Sequence, residues 1–362
     1  MKENIFNINE YINKSDFFKS LFNNEKIEIE KIDDGNLNNI FRISSLNHSV
    51  VLKQCPEYIY RDNETVALPK DRISFEYFAL KEFKKNTPKH IPEVLFFDKE
   101  NSLVILEYLN EYIPLKYLII NFIPFENIIS KLSDTIALNL VYNTVSFTKD
   151  KKEFYNKFNN SEIKNYFQDI LFSVNPEITD KKEKIKNNLR ELEYKFIHEN
   201  DTLLHGNLKK DSIMIRKSNF YLIDFESSFI GPYGFELSYL LASLIMDYVY
   251  CKYLINNQQY SQYLLVTISK ILEKFEKSFI KYYNEKSTQK LDINQIINDS
   301  FGYTSLQLLS NVTKIRILNK ENFANNQEKE LLEYTKHLSI ISLSILENLK
   351  DINKIEDLLI VL

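Results

Sequence analysis

Asp224 and Glu226 stand one position apart at the end of an apolar run, Tyr221-Leu222-Ile223. Two carboxylates brought together after a buried strand are costly without a cation, and their hard oxygens suit Mg²⁺. Upstream, a second apolar run opens into a polar loop, Leu203-Leu204-His205-Gly206-Asn207-Leu208-Lys209-Lys210-Asp211-Ser212. A strand, a His-Gly loop, a polar residue five positions on and a second strand ending in Asp-x-Glu form a layout suited to phosphoryl transfer. In that layout the first loop presents a carboxylate to the acceptor hydroxyl, while Ser212, Asp224 and Glu226 hold Mg²⁺ against the nucleotide phosphates. His205 is expected chiefly to hold the loop backbone, with proton transfer as the alternative role.

The N-terminal part supplies groups for the nucleotide itself. Gly35 falls in the turn Asp33-Asp34-Gly35-Asn36 between two strand-like runs, where a cover over phosphates would lie. Lys53 ends the run Val50-Val51-Leu52-Lys53 and can pair with phosphate, and Glu76 follows on a helical stretch where it can anchor that lysine. The backbone of Glu107-Tyr108-Leu109 sits at a crossover between two differently patterned regions and can meet an adenine edge.

Two lobes have to position these groups. Residues 1–109 read as strands around one helix: Ile27–Ile32, Ile40–Ile43, Ser49–Gln54, Val94–Phe97 and Leu103–Leu106, with a helix opening at Asp71 and carrying Ile73, Phe75, Phe78, Ala79 and Phe83 at helical spacing. Pro88 and Pro92 end that helix. Residues 110–362 turn to helical spacing over Asn127–Tyr142, Asp180–His198, Phe235–Tyr250, Ser261–Tyr283, Ile293–Val312 and Asn326–Leu349. A β-ribbon, Thr202–Arg216 and Asn219–Ile230, is set into this helical part. The Lys-rich stretch Lys181–Lys186 reads as a solvated helix face. The fold class is therefore α+β, with a small β-rich lobe and a large helical one.

Composition narrows the field. Lys plus Arg is 46 against 50 Asp plus Glu, a net charge of −4, which argues against a nucleic-acid binder. Neither a signal peptide nor an apolar run of membrane-spanning length is evident, so a cytoplasmic protein is expected. Two cysteines, Cys55 and Cys251, without metal-ligand spacing exclude a disulfide framework and a structural zinc site. With only 5 glycines in 362 residues, each is a candidate for a backbone position that other residues cannot take.

These segments resemble the 5-methylthioribose kinase family, within the aminoglycoside phosphotransferase and choline kinase group. The matching stretches are Asp34-Gly35-Asn36-Leu37-Asn38, Val51-Leu52-Lys53-Gln54, Asp71-Arg72 with Phe75-Glu76, and the His205–Ile213 loop. Asp224-Phe225-Glu226 leading into Gly231-Pro232-Tyr233-Gly234-Phe235-Glu236 is the most specific of them. The resemblance spans roughly residues 30–350 and implies a bilobal protein-kinase-like fold, ATP and Mg²⁺, and phosphorylation of a sugar's anomeric hydroxyl. It also implies Asn36 and Asn38 in the nucleotide cover, and a homodimer.

Two departures from the family pattern bear on function. The family has Asp where this chain has Asn207, and an amide neither takes a proton nor carries charge. The family's substrate-contacting Arg-Arg pair falls on Ser310 and Asn311, which offer no cationic fork. Lys210 and Asp211 replace small polar residues in the same loop. Three expectations follow: a small-molecule kinase with altered or impaired activity, a nucleotide-binding pseudokinase acting through a protein partner, or a kinase for a peptide or protein acceptor.

Overall fold

The computed structural model describes residues 6–23, 25–32, 38–61, 64–67, 71–172, 182–322 and 325–352. Gly35 and Asn36, with the rest of residues 33–37, lie outside the described residues.

The small lobe opens with two short helices, α1 (Ile8–Lys14) and α2 (Asp16–Phe22), that the sequence reading did not anticipate. The Asn7 side chain caps α1 by accepting from the Glu10 N–H at 3.2 Å, and Asn23 ends α2 in a left-handed conformation at φ 43°. Strands β1 (Glu28–Lys31), β2 (Asn39–Ser44) and β3 (Ser49–Gln54) follow. Next come a second unanticipated feature, the hairpin β4 (Tyr58–Arg61) and β5 (Glu64–Ala67), then helix α3 (Arg72–Asn86) and strands β6 (Val94–Asp98) and β7 (Leu103–Glu107). Asp71 occupies the N-cap position of α3, as expected, but its side chain makes no capping bond.

The main sheet is antiparallel in the order β1-β2-β3-β7-β6. Because side chains alternate along a strand, each strand serves two masters. On the outer face Ile43, Val50, Leu52, Leu103 and Ile105 pack with Ile12, Phe18 and Phe22 of α1 and α2. On the inner face Ile40, Arg42, Val51, Lys53 and Leu106 line a cleft. The register that pairs Lys53 with Ile40 on one side and Val104 on the other fixes the lysine on that inner face.

The large lobe begins with β8 (Ile113–Pro114) and α4 (Leu115–Ile120), then α5 (Glu126–Tyr142), α6 (Lys151–Phe158), α7 (Ser161–Phe172) and α8 (Glu183–His198). Strand β9 (Thr202–Leu204) pairs with β12 (Phe229–Gly231), and β10 (Ile213–Arg216) forms a hairpin with β11 (Asn219–Leu222) while β8 pairs on its other side. Four helices complete the lobe: α9 (Phe235–Val249), α10 (Gln258–Lys286), α11 (Ile293–Asn322) and α12 (Asn325–Asn348). The expected ribbon and six expected helices are all present; α4, α6 and α7 are additions, and α11 runs ten residues past the expected end at Val312. Lys182 and Lys184 are exposed at the start of α8 and pair with Glu347 and Asp351, in keeping with a solvated face.

One buried cluster joins the two lobes. Ile73, Ala79, Leu80 and Phe83 of α3 belong to the same core as α5, α9 and α10, and the Phe83 and Phe225 rings meet edge-on at 4.9 Å. The end of α3 is fastened to α5 by Asn86 donating to Asn143 Oδ1 at 2.7 Å and by Asn139 donating to Thr87 Oγ1 at 3.1 Å. His90 then stacks on Phe220, 4.1 Å between ring centroids. No helix among the described residues is long and apolar enough to cross a membrane.

Candidate active site

A cavity of about 640 Å³ lies between the lobes. Its wall toward the small lobe is mainly apolar, with Ile32, Ile40, Val51, Leu106 and Leu109, while Met214 and Ile223 face them from the ribbon. Lys53, Glu76, Asn207, Ser212, Asp224 and Glu226 all line it. Residues separated by up to 173 positions in the chain therefore meet in one cleft, as their order along the sequence implied.

Lys53 is the hub. Its Nζ lies 2.8 Å from Glu76 Oε2, 2.5 Å from Asp224 Oδ1 and 3.7 Å from Glu226 Oε2. Burial disfavours the Lys53 charge, but Asp224, Glu226 and Glu76 together outweigh it and hold the ammonium well above its ordinary range. Asp224 resists burial in the same way: Lys53 keeps its carboxyl below the usual value. Glu76 is fully enclosed, and burial dominates there, pushing it up to about 7 despite the lysine. Arg72 adds a second cation 3.6 Å from Glu226 Oε2, and Asn38 donates to that same oxygen at 2.8 Å.

Lys53 and Arg72 are shared among Asp224, Glu226 and the buried Glu76, whose own charge is disfavoured by burial. Asp224 Oδ2 and Glu226 Oε1 accept no hydrogen bond from any described residue. Hard oxygens with spare lone pairs fit Mg²⁺. Asp224 also sits at φ 71°, ψ 58°, a left-handed conformation that a non-glycine residue adopts at some cost and that recurs at functional sites. Ser212 is buried, and its Oγ donates to the Asn207 carbonyl at 3.0 Å, so its hydroxyl ties the loop together. A second trio, Cys55, Glu76 and Glu226, brings its ligand atoms within 4.8 Å of one another, but the Lys53 and Arg72 cations occupy its surroundings.

The His205–Ser212 loop is built around residues that do not face the cavity. His205 is completely buried; its Nε2 bonds the Ile223 carbonyl at 2.9 Å and its Nδ1 accepts from the Asn207 N–H at 3.4 Å. Burial lowers its pKa to about 4. A neutral ring with both nitrogens engaged is a positioning group, and of the two roles weighed from the sequence the structural one matches this geometry. Gly206 has φ 80°, and a Cβ there would lie 2.2 Å from the Ser227 carbonyl oxygen, so the turn admits only glycine. Below the loop, Glu236 accepts from the His205 and Gly206 N–H groups at 3.1 and 3.2 Å. Burial drives that carboxyl up to about 7, with the two N–H bonds opposing the shift.

Sequence reasoning did not assign roles to several residues that shape the site. Glu236 fell within a matching segment, but its part as a clamp on the loop depends on the packing of α9. Lys210 reaches both oxygens of Asp247 on α9 at 2.5 Å, and Asp211 pairs with Lys116 of α4 at 3.1 Å. At the crossover, Glu107 is held by the Glu93 backbone, its N–H donating to the Glu93 carbonyl at 3.0 Å and its side chain accepting at 2.8 Å. The Leu109 N–H has no partner among the described residues. Ser310 is buried in α11, and Asn311 donates to the Gln307 carbonyl of its own helix; neither lines the cavity.

A β-sheet lobe carrying a lysine, a helix supplying its glutamate partner and a large helical lobe with a metal-suited ribbon define the bilobal kinase-like fold. The choline kinase from Cryptosporidium parvum Iowa II matches it with a TM-score of 0.53 at 13% identity, covering 97% of this chain and 96% of that one. A microcompartment-associated aminopropanol kinase gives 0.50 at 11% identity, over 94% and 98%. In sequence, the chain is similar to methylthioribose kinases. It is 25% identical to methylthioribose kinase 1 of Oryza sativa subsp. japonica over 336 residues, 80% of this chain and 78% of that protein. It is 27% identical to methylthioribose kinase of Escherichia coli O45:K1 over 289 residues, 73% and 69% of the two chains. No family model matches the chain.

Proposed function

We propose that this chain is an ATP- and Mg²⁺-dependent phosphotransferase for a small-molecule hydroxyl, similar to methylthioribose kinases and altered at its acceptor side. The observation that carries this reading is the Lys53 hub, with Glu76 at 2.8 Å and Asp224 at 2.5 Å in a cavity large enough for a nucleotide. Lys53 serves the phosphates, the free Leu109 N–H the adenine edge, and Asn38 with the turn carrying Gly35 and Asn36 the cover. Asp224 and Glu226, with Ser212 beside them, would hold Mg²⁺, which neutralises charge on the phosphate oxygens when bound.

Asn207 favours a second reading, a nucleotide-binding protein with little turnover. Its amide can accept a hydrogen bond from an acceptor hydroxyl and orient it, but cannot take the proton. Ser310 and Asn311 stand where the resemblance puts a cationic pair but do not line the cavity, so the case for an acceptor other than methylthioribose, small molecule or peptide, rests on Asn207 and the altered loop. The test is calorimetry of the full chain with ATP, with and without Mg²⁺, followed by product analysis with methylthioribose. We expect Mg²⁺-dependent ATP binding and little methylthioribose phosphorylation. Absence of binding at millimolar ATP removes the nucleotide reading, and brisk phosphorylation removes the assigned consequence of Asn207.

A further inference from the structure

The two adjacent lysines of the catalytic loop, Lys209 and Lys210, have opposite fates. Lys209 is extended at φ −133°, ψ 173°, which throws neighbouring side chains to opposite sides of the chain. Lys210 turns to α9 and spends its charge on Asp247, 2.5 Å from both oxygens. Lys209 instead lines the cavity, half-buried, beside Asn207 and Asp224. Among the described residues it has no carboxylate within ion-pair distance.

The other cations of the cavity are already committed. Lys53 is enclosed by three carboxylates, Lys116 pairs with Asp211, and Arg42 lies over the Tyr108 ring, 4.5 Å from its centroid. Lys209 shares the cavity lining with Asn207, Ser212 and Asp224, which places its charge toward the metal-suited end of the cleft. A nucleotide whose purine sits by Leu109 and whose first phosphates reach Lys53 would end between Asp224 and the catalytic loop. The anionic terminus would need a cation there, and charge-assisted bonds to phosphate are among the stronger polar contacts.

We propose that Lys209 binds the terminal phosphate of a nucleoside triphosphate, so that the catalytic loop contributes a cation to the transferring group where it lacks a base. The neutral Asn207 is part of the arrangement, since a carboxylate two residues away on the same loop would compete for the ammonium. The inference rests on the nucleotide reading above.

It is tested by calorimetry on the full chain with Mg²⁺ and either a non-hydrolysable β,γ-imido ATP or ADP, comparing wild type, Lys209→Ala and Lys209→Arg. We expect Lys209→Ala to weaken the triphosphate about tenfold or more while changing ADP less than about twofold, with Lys209→Arg restoring most of the difference. Equal binding of the triphosphate by Lys209→Ala and wild type overturns the inference and leaves the nucleotide reading standing. An equal loss for triphosphate and ADP overturns it as well, because the residue would then be holding the loop and not the last phosphate. Wild type that binds neither nucleotide defeats the nucleotide reading first and this inference with it.

Discussion

The two halves of the cleft have been treated differently by this sequence. In the proposed nucleotide half, Glu76, Asp224 and Glu226 all lie within 3.7 Å of the Lys53 ammonium. In the proposed acceptor half the loop has Gly206 at its left-handed turn and Glu236 beneath it, yet it departs from the family pattern at Asn207, Lys210 and Asp211. Two of those changes come with their own partners, Lys210 with Asp247 and Asp211 with Lys116. Isolated decay would leave new charges without partners. Here Lys210 and Asp211 are both paired while Lys209 is left facing the cavity, so the loop's scaffold and its outward chemistry are separable.

The sharpest way to break that comparison is to attack the Lys53 hub. Lys53→Ala strands Glu76 in the interior with its neighbours Asp224 and Glu226, so we expect a loss of about 3–5 kcal/mol in denaturant unfolding, together with loss of ATP binding by calorimetry. A stable variant that still binds ATP would show that the hub does not hold the nucleotide half together. Next in size is the pH response of Glu236. Its folded pKa, about 7, lies above the ordinary 4.5, so the folded protein binds more protons over that interval. Its stabilising contribution is complete below about 4.5 and is lost as pH rises through about 7. Relative to Glu236→Gln, which does not titrate, wild type is expected to lose about 2–3 kcal/mol between pH 4.5 and 7.5, read from urea midpoints at each pH. A flat difference would remove the buried clamp from the account of the loop.

Smaller effects sharpen the acceptor half. Lys210→Ala leaves Asp247 mostly buried without its cation, for an expected loss of about 1–3 kcal/mol; the double variant with Asp247→Asn recovers part of it, which a thermal-unfolding cycle would register. The smallest change is expected from Asn207→Asp assayed on methylthioribose. A positioned base is worth about 10²–10⁴ in rate, but the loop around it has been rewired, so product formation should stay within about tenfold of wild type. Recovery approaching the full factor would mean that residue 207 alone separates the two halves.

What the sequence made legible follows the range of the signals. Strand β3 was read to the residue because Ser49–Gln54 is a short β-branched apolar run between polar segments, and the 3.6-residue spacing located α5, α9 and α10 within a few positions. Helices α1 and α2 escaped because seven residues carry little periodic signal, and they become helical by laying Ile12, Phe18 and Phe22 on a sheet formed later in the chain. The hub was legible from order alone, lysine on a strand, glutamate on the next helix, acids after a distant one. Lys210–Asp247 was not, since the partners are 37 residues apart on elements whose packing no local pattern records. Glu236 shows the intermediate case: its segment stood out, whereas its task emerged only when α9 was seen beneath the loop.

Helix α3 gives the hub a mechanical character. Its polypeptide belongs to the small lobe by sequence, but its end is bolted to α5 through Asn86 and Asn139, and Phe83 is seated against Phe225. Glu76 is thus mounted on the heavier body while Lys53 rides on the sheet, and the 2.8 Å link between them bridges the seam. Any rocking of the sheet away from the large lobe draws on that link together with the core that Val104 and Leu106 share with the large lobe, in the manner of a latch whose bolt and keeper are fixed to different panels.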